Sequence, residues 1–262
     1  MKILIVSGFL GAGKTTFIKR LARNVDQRFA ILENEYGAAG IDGVRLGQNR
    51  QGTQKNVWEM TEQCICCIGK KDFAASVLTI ANVVDPEYLI VEPTGVGSLA
   101  RIIENLRQIE YERIQLLSPV TIVDVYSYRR YMAEYPELYQ DQIRSADTII
   151  VSKTEACQAE EKQRIQKFLQ EINPQAKIIT DYASTMTRED YQSLLLGGRY
   201  EKEVQDTQSG EKMPETFSFE NIRMEAPETL WCFLEQIIRG AFGNIIRAKG
   251  QFAAGDQFLQ FD

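Results

Sequence analysis

Residues 8–15 read Gly8-Phe9-Leu10-Gly11-Ala12-Gly13-Lys14-Thr15. The stretch fits the pattern G-x-x-x-x-G-K-[S/T], and its flanks fit the context that pattern requires. Ile3 to Ser7 is a short apolar run that predicts a buried strand. Lys14 to Val25 carries Phe17, Ile18 and Leu21 at helical spacing. A strand that turns through glycines into a helix gathers backbone N–H groups and the positive end of a helix dipole at one point, a receptor for phosphate. Lys14 can reach the outer phosphates and the Thr15 hydroxyl can ligate Mg²⁺. Gly8, Gly11, Ala12, Gly13, Lys14, Thr15 and Thr16 are therefore the expected nucleotide-binding residues, with Lys14 also catalytic. The motif leaves open the choice of ATP or GTP, and of kinase or hydrolase.

Outward from this loop, short β-branched runs alternate with longer amphipathic stretches. Strands are predicted at Phe29 to Leu32, Tyr88 to Val91, Val120 to Val123, Ile149 to Val151 and Ile178 to Thr180. Helices are predicted over Lys70 to Val84, Leu99 to Ile109 and Glu160 to Ile172, the last closed by Asn173-Pro174. That alternation predicts an α/β fold, a doubly wound and mostly parallel sheet of the P-loop NTPase type. Residues 1–204 form this domain in the sequence reading, and the polar stretch 205–215 is a linker. Residues 216–262 form a short C-terminal α+β domain, with a strand over Phe217 to Ile222, a helix over Glu228 to Arg239 and strands near Ala248 to Phe252 and Phe258 to Phe261. Alone, so small a unit is marginally stable.

The chain has 262 residues, 44% of them hydrophobic, and a net charge of −6. That balance argues against bulk capture of nucleic acid or of an anionic membrane, while still allowing a local phosphate site. No run approaches the ~18 apolar residues of a membrane span. The apolar start, Met1 to Val6, is too short for a signal peptide and leads into the glycine loop, so a cytoplasmic protein is expected.

Three further elements surround the loop. Glu92-Pro93-Thr94-Gly95 follows the strand Tyr88 to Val91, so Glu92 is placed to assist Mg²⁺ and Gly95 to present its N–H to a γ-phosphate. Ser152-Lys153-Thr154-Glu155 follows another strand and resembles the guanine-reading N-K-x-D element. Ser152 stands for Asn, and Glu155 keeps the bidentate acceptor of Asp at one methylene greater length. Glu33-Asn34-Glu35-Tyr36-Gly37 puts two carboxylates at the mouth of a glycine-rich loop, where Glu33 and Glu35 can position a water or a metal.

Cys64-Ile65-Cys66-Cys67 holds three of the five cysteines, and the chain has no histidine. Thiolates suit Zn²⁺ or Co²⁺ in tetrahedral geometry, and in a reducing compartment clustered cysteines point to metal or catalysis before disulfides. A redox pair and buried structural cysteines are the alternatives. A fourth ligand is left open between Cys157 or Cys232, both remote in sequence, and water, a carboxylate such as Glu33, Glu35 or Glu62, or a partner's ligand; an open fourth position suits a metal that must leave.

Taken in order, G-F-L-G-A-G-K-T-T, E-N-E-Y-G, C-I-C-C, E-P-T-G and S-K-T-E resemble the CobW-like metallochaperone GTPases, relatives of the urease and hydrogenase nickel-insertion GTPases. The resemblance spans residues 8 to 155. It implies a GTPase that cycles between GTP and GDP with Mg²⁺ and delivers Zn²⁺ or Co²⁺ to a client metalloprotein or a cobalamin-related protein. Cys64, Cys66 and Cys67 would carry the metal, Lys153 and Glu155 would hold the base, and a nucleotide-dependent homodimer follows by analogy. A corrinoid-enzyme reactivation factor and a P-loop small-molecule kinase are the competing readings. For the kinase, Arg129-Arg130 are the candidate lid arginines.

Overall fold

The computed structural model describes residues 1–27, 29–33, 70–204, 217, 219, 222–224, 226–254 and 257–261. Its centre is a seven-stranded sheet. The strands are β1 (Lys2–Gly8), β2 (Phe29–Glu33), β3 (Tyr88–Glu92), β4 (Gln115–Leu116), β5 (Val120–Asp124), β6 (Thr148–Ser152) and β7 (Lys177–Ile179). They run in the order β2-β3-β1-β5-β6-β7, with β4 also paired to β1, and every pairing is parallel. β1 sits at the middle. Its Lys2 to Ile5 register with Tyr88 to Val91 of β3, and its Val6 to Gly8 with Val120 to Ile122 of β5.

The helices between these strands are α1 (Lys14–Asn24), α2 (Lys70–Val83), α3 (Leu99–Arg107), α4 (Tyr128–Glu134), α5 (Pro136–Arg144) and α6 (Ala159–Ile172), and α7 (Tyr182–Thr185) and α8 (Arg188–Leu196) follow β7. They cover both faces, which is why β3, β5 and β6 are buried along their whole length and read as continuous apolar runs. Alternation along β1 splits the core. Ile3 and Ile5 pack with Phe73, Leu99, Ile103 and Ile143. Leu4 and Val6 pack with Phe17, Ile18 and Leu21 of α1 and with Tyr191 and Leu195 of α8.

A second sheet has the order β10-β9-β8, formed by β8 (Arg223–Met224), β9 (Gly250–Ala254) and β10 (Gln257–Phe261), with helix α9 (Pro227–Ile238) beside it. The described residues of the strand expected over Phe217 to Ile222, which are Phe217, Phe219 and Ile222, lie outside any strand and are exposed. Pairing falls instead on Arg223 and Met224, which register with Ala253 and Ala254. The alternating phenylalanines imitate a strand's period, but a strand forms where a neighbouring backbone offers hydrogen bonds. Four helices, α4, α5, α7 and α8, were not anticipated by the periodicity. Pro136 at the first turn of α5 and the capping box of Thr187 with Asp190 at α8 are the start signals that mark two of them.

Candidate nucleotide site

β1 ends at Gly8 and α1 begins at Lys14. Gly8 adopts φ 142°, and a Cβ built there would lie 2.4 Å from the Ile122 carbonyl oxygen of β5. Only glycine lets the two strands run this close at the point where the loop departs. Gly8→Ala is accordingly expected to destabilise the fold by about 2–4 kcal/mol, the sum of backbone strain and overpacking. A thermal melt should show it as a drop of roughly 5–15 °C. Gly11 and Gly13 take left-handed φ values of 70° and 98°, and the Ala12 N–H donates to the Phe9 carbonyl at 3.2 Å. No side chain caps α1, and its first turn holds no acidic residue. The positive end of its dipole therefore meets the loop without a fixed negative charge to offset it. Lys14 is 7% exposed, and its Nζ donates to the Gly8 and Phe9 carbonyls at 3.0 and 3.3 Å.

Because Ile5 registers with Val91, Glu92 leaves β3 beside the loop. The Thr15 hydroxyl donates to Glu92 Oε1 at 2.9 Å, and Glu92 is 9% exposed. A hydroxyl and a carboxylate at this distance are the hard oxygen donors that Mg²⁺ takes. Glu33 ends β2 opposite Glu92 in the register, so the backbone brings both acidic residues to one end of the sheet. Gly95 is buried against the loop itself: a Cβ there would stand 2.4 Å from the Leu10 nitrogen and 2.8 Å from the Phe9 carbonyl carbon. The E-P-T-G turn and the phosphate loop thus touch backbone to backbone.

At the other side of the loop, the Ser152 hydroxyl donates to the Ala12 carbonyl at 2.6 Å, and the residue is 3% exposed. Its oxygen is engaged in tying β6 to the phosphate loop. Lys153 takes a left-handed φ of 60°, and its Nζ reaches Asp124 Oδ2 at 2.7 Å. Asp124 also accepts from the Tyr126 N–H at 2.8 Å and the Ser127 hydroxyl at 3.0 Å. Sequence reasoning passed over Asp124. The signal was present, since it ends β5 as Glu92 ends β3. Glu155 is exposed. Burial first, and the Glu155 charge among lesser causes, pushes the Tyr182 hydroxyl up. Beyond it, Lys162 Nζ donates to Asp181 Oδ1 at 2.5 Å, and that hydrogen bond, with a smaller contribution from Thr154, holds the Asp181 carboxyl below the usual range.

The α4–α5 hairpin buttresses the loop from one flank. The Phe9 ring lies 4.2, 5.4 and 5.8 Å from the rings of Tyr131, Tyr135 and Tyr139. The Tyr131 hydroxyl donates to the Leu10 carbonyl at 3.2 Å, and burial above all pushes its ionisation up, so it remains a neutral donor. Arg129 and Arg130, the arginines a kinase reading would use, pair with Glu161 at 3.2 Å and Glu134 at 3.5 Å.

Glu35 and the three clustered cysteines Cys64, Cys66 and Cys67 lie outside the described residues. Among the described residues no group of three or more His, Cys, Asp or Glu could hold a metal, Cys157 is half-buried and Cys232 is exposed. No helix among them is long and apolar enough to cross a membrane.

Comparison with known proteins places the family and the fold. The family model described as "CobW/HypB/UreG, nucleotide-binding domain" matches residues 2–180. The chain is 30% identical over 178 residues to the zinc chaperone YeiR of Escherichia coli K12, an alignment covering 67% of this chain and 53% of YeiR. It is 25% identical over 218 residues to the zinc-regulated GTPase metalloprotein activator 1 of Dictyostelium discoideum, covering 68% of this chain and 45% of that one. The chain therefore spans about half the length of the curated relatives it matches. Among solved structures, the Zn(II)-bound YjiA GTPase from E. coli superposes with a TM-score of 0.56 at 18% identity, covering 100% of this chain and 86% of that chain, which is a likeness of fold.

Proposed function

The chain belongs to the CobW/HypB/UreG nucleotide-binding-domain family, and from that premise we propose that it is a GTP-hydrolysing metallochaperone. It binds a transition metal as cargo and releases it to a client metalloprotein or cobalamin-related protein according to nucleotide state. The names of its zinc-chaperone and GTPase relatives support this reading. The observation that carries it is the contact of Thr15 with Glu92, at 2.9 Å, beside a glycine loop whose helix is left uncapped.

In this reading Gly8, Gly11, Ala12, Gly13, Lys14 and Thr16 cradle the phosphates. Thr15 and Glu92 hold Mg²⁺, which neutralises phosphate charge when bound. Lys14 leaves the Gly8 and Phe9 carbonyls for the outer phosphates. Glu33 and Glu35 orient the attacking water, and Gly95 meets the third phosphate. Lys153 lies under the base and Glu155 accepts from its edge. Ser152 acts indirectly, by fixing Ala12. Cys64, Cys66 and Cys67 bind Zn²⁺ or Co²⁺ as cargo. A cytoplasmic setting and a nucleotide-dependent homodimer complete the proposal.

The test is phosphate release from GTP and from ATP with Mg²⁺, run beside Zn²⁺, Co²⁺ and Ni²⁺ competition in the presence of GTP, of GDP and of neither. The expected result is guanine-selective turnover and a metal affinity that changes between GTP and GDP. Turnover with metal affinity identical in all three conditions would remove the chaperone part of the reading. ATP used as readily as GTP would remove the guanine part.

A further inference from the structure

Helix α5 carries two polar side chains into the core. Gln142 is 1% exposed and Asp141 is 6% exposed. Gln142 Nε2 donates to the Gly95 carbonyl at 3.0 Å and to the Gly97 carbonyl at 2.9 Å. Its amide has two N–H groups to give, and this one turn takes both. The preceding residue grips the same segment further on: Asp141 Oδ2 accepts from the Leu99 N–H at 2.7 Å and from the Ala100 N–H at 3.4 Å. Gln142 is held from behind, since the Thr121 hydroxyl of β5 donates to its own backbone carbonyl at 2.9 Å.

A glycine turn is otherwise free to swing, having no Cβ to restrict it. Here the turn is closed by the Gly97 N–H on the Thr94 carbonyl at 3.0 Å, and Gly95 lies in backbone contact with Phe9 and Leu10. Peptide groups are planar, so the bond to the Thr94 carbonyl orients the peptide that carries the Gly95 N–H, while Gln142 pins the next peptide through the Gly95 carbonyl; with both its flanking peptides held, Gly95 has little freedom to swing. The far end of the same hairpin holds the phosphate loop through Tyr131 and the Phe9 ring. One helical hairpin therefore sets the E-P-T-G turn and the phosphate loop relative to each other.

We propose that Gln142 is a positioning residue that presets the Gly95 N–H for the third phosphate, and so supplies the preference of the site for a nucleoside triphosphate over the diphosphate. This rests on the GTPase reading above, and it adds a residue that belongs to none of the recognised motifs. The contribution is a coupling between turn and nucleotide, for which a factor of about 5–150 is typical.

Gln142→Met keeps the length of the side chain and removes both donors. In the full chain with Mg²⁺, GDP should bind within about twofold of the parent, while a non-hydrolysable GTP analogue should weaken by about tenfold. Equal weakening of both nucleotides in Gln142→Met would make Gln142 merely structural, and an unchanged ratio would remove its role. If Gln142→Met does not fold, the ratio is read on Gln142→Asn, whose amide is one methylene short of the two carbonyls; an unchanged ratio there overturns the proposal. A parent that shows no preference for the triphosphate sinks the GTPase reading and this role together, whereas a discriminating parent with indifferent variants sinks only the role of Gln142.

Discussion

Lys14→Ala is expected to lower GTP turnover by about 10²–10³-fold, the usual cost of deleting one preorganised donor aimed at developing charge. Lys14 Nζ rests on the Gly8 and Phe9 carbonyls at 3.0 and 3.3 Å, so the ammonium is already at the loop and needs only to exchange carbonyl partners for phosphate oxygens. The loop's shape does not depend on it. Gly8 is fixed by its approach to Ile122, Ala12 by the Ser152 hydroxyl, and Leu10 by the Tyr131 hydroxyl. Removing the ammonium costs the fold its hydrogen bonds to Gly8 and Phe9, about 1 kcal/mol each, and the chain should still melt cooperatively. Lys14→Arg should not rescue turnover, because a planar guanidinium is bulkier than an ammonium and cannot take the same two-carbonyl seat. Mg²⁺-dependent phosphate release at saturating GTP measures the effect. Turnover within threefold of the parent in the alanine variant would show that the outer phosphates are served by some other group.

The parts of this site that could be read from the sequence are those whose chemistry is local. Gly8 to Thr15 is legible because the backbone curvature, the helix start and the lysine are all written within eight consecutive residues. The strands were legible for a different reason. Buried on both faces, β3, β5 and β6 are apolar along most of their length, with polar or acidic residues at their C-terminal ends. The α4–α5 hairpin failed both conditions. Its inward positions are Tyr128, Tyr131, Leu138, Tyr139, Asp141, Gln142 and Ile143, and a count of apolar residues at helical spacing scores three tyrosines weakly and the buried Asp141 and Gln142 as solvent-facing. Yet Gln142 is the residue that grips the E-P-T-G turn, and Asp141 holds the start of α3 just beyond it. Ser152 shows the same limit from the other side. Its spacing matched a base-reading element, while its hydroxyl went to Ala12, a partner 140 positions away. Asp124 carried one local signal, an acid at the end of an apolar strand, but its partner could not be read, because β5 lying beside β6 is what sets its carboxylate against Lys153. Long-range pairing decides which partner such a residue meets, and the local pattern carries no trace of that partner.

The second large effect is expected at the cysteine cluster. Replacing Cys64, Cys66 and Cys67 together by serine should weaken Zn²⁺ binding by more than about 10²-fold, since losing even an outer-shell partner of a metal ligand costs about 10–100-fold. Serine keeps the size of each side chain but offers a hard hydroxyl that does not ionise near neutrality, where zinc favours thiolate. The chain has no histidine to take over. GDP binding should be unaltered, because the phosphate-binding stretch at residues 8–16 lies outside the change. The parent's affinity should itself fall as the pH is lowered. Each thiol must release a proton to bind, so protons compete with the metal, and the slope of affinity against pH should shrink in the variant. Zinc titration with a competing chelator, repeated with GDP and with a non-hydrolysable GTP analogue, separates the outcomes. If the triple variant held zinc as tightly as the parent in the GTP-analogue state, the cysteines would be structural and the cargo would sit elsewhere. If affinity were lost equally in every nucleotide state, the cluster would bind metal without being governed by the nucleotide. Loss concentrated in one state is the expected outcome, because an open three-thiolate site can hand its metal on only if something else completes or withdraws its coordination, and in a GTPase that something is the presence of the third phosphate.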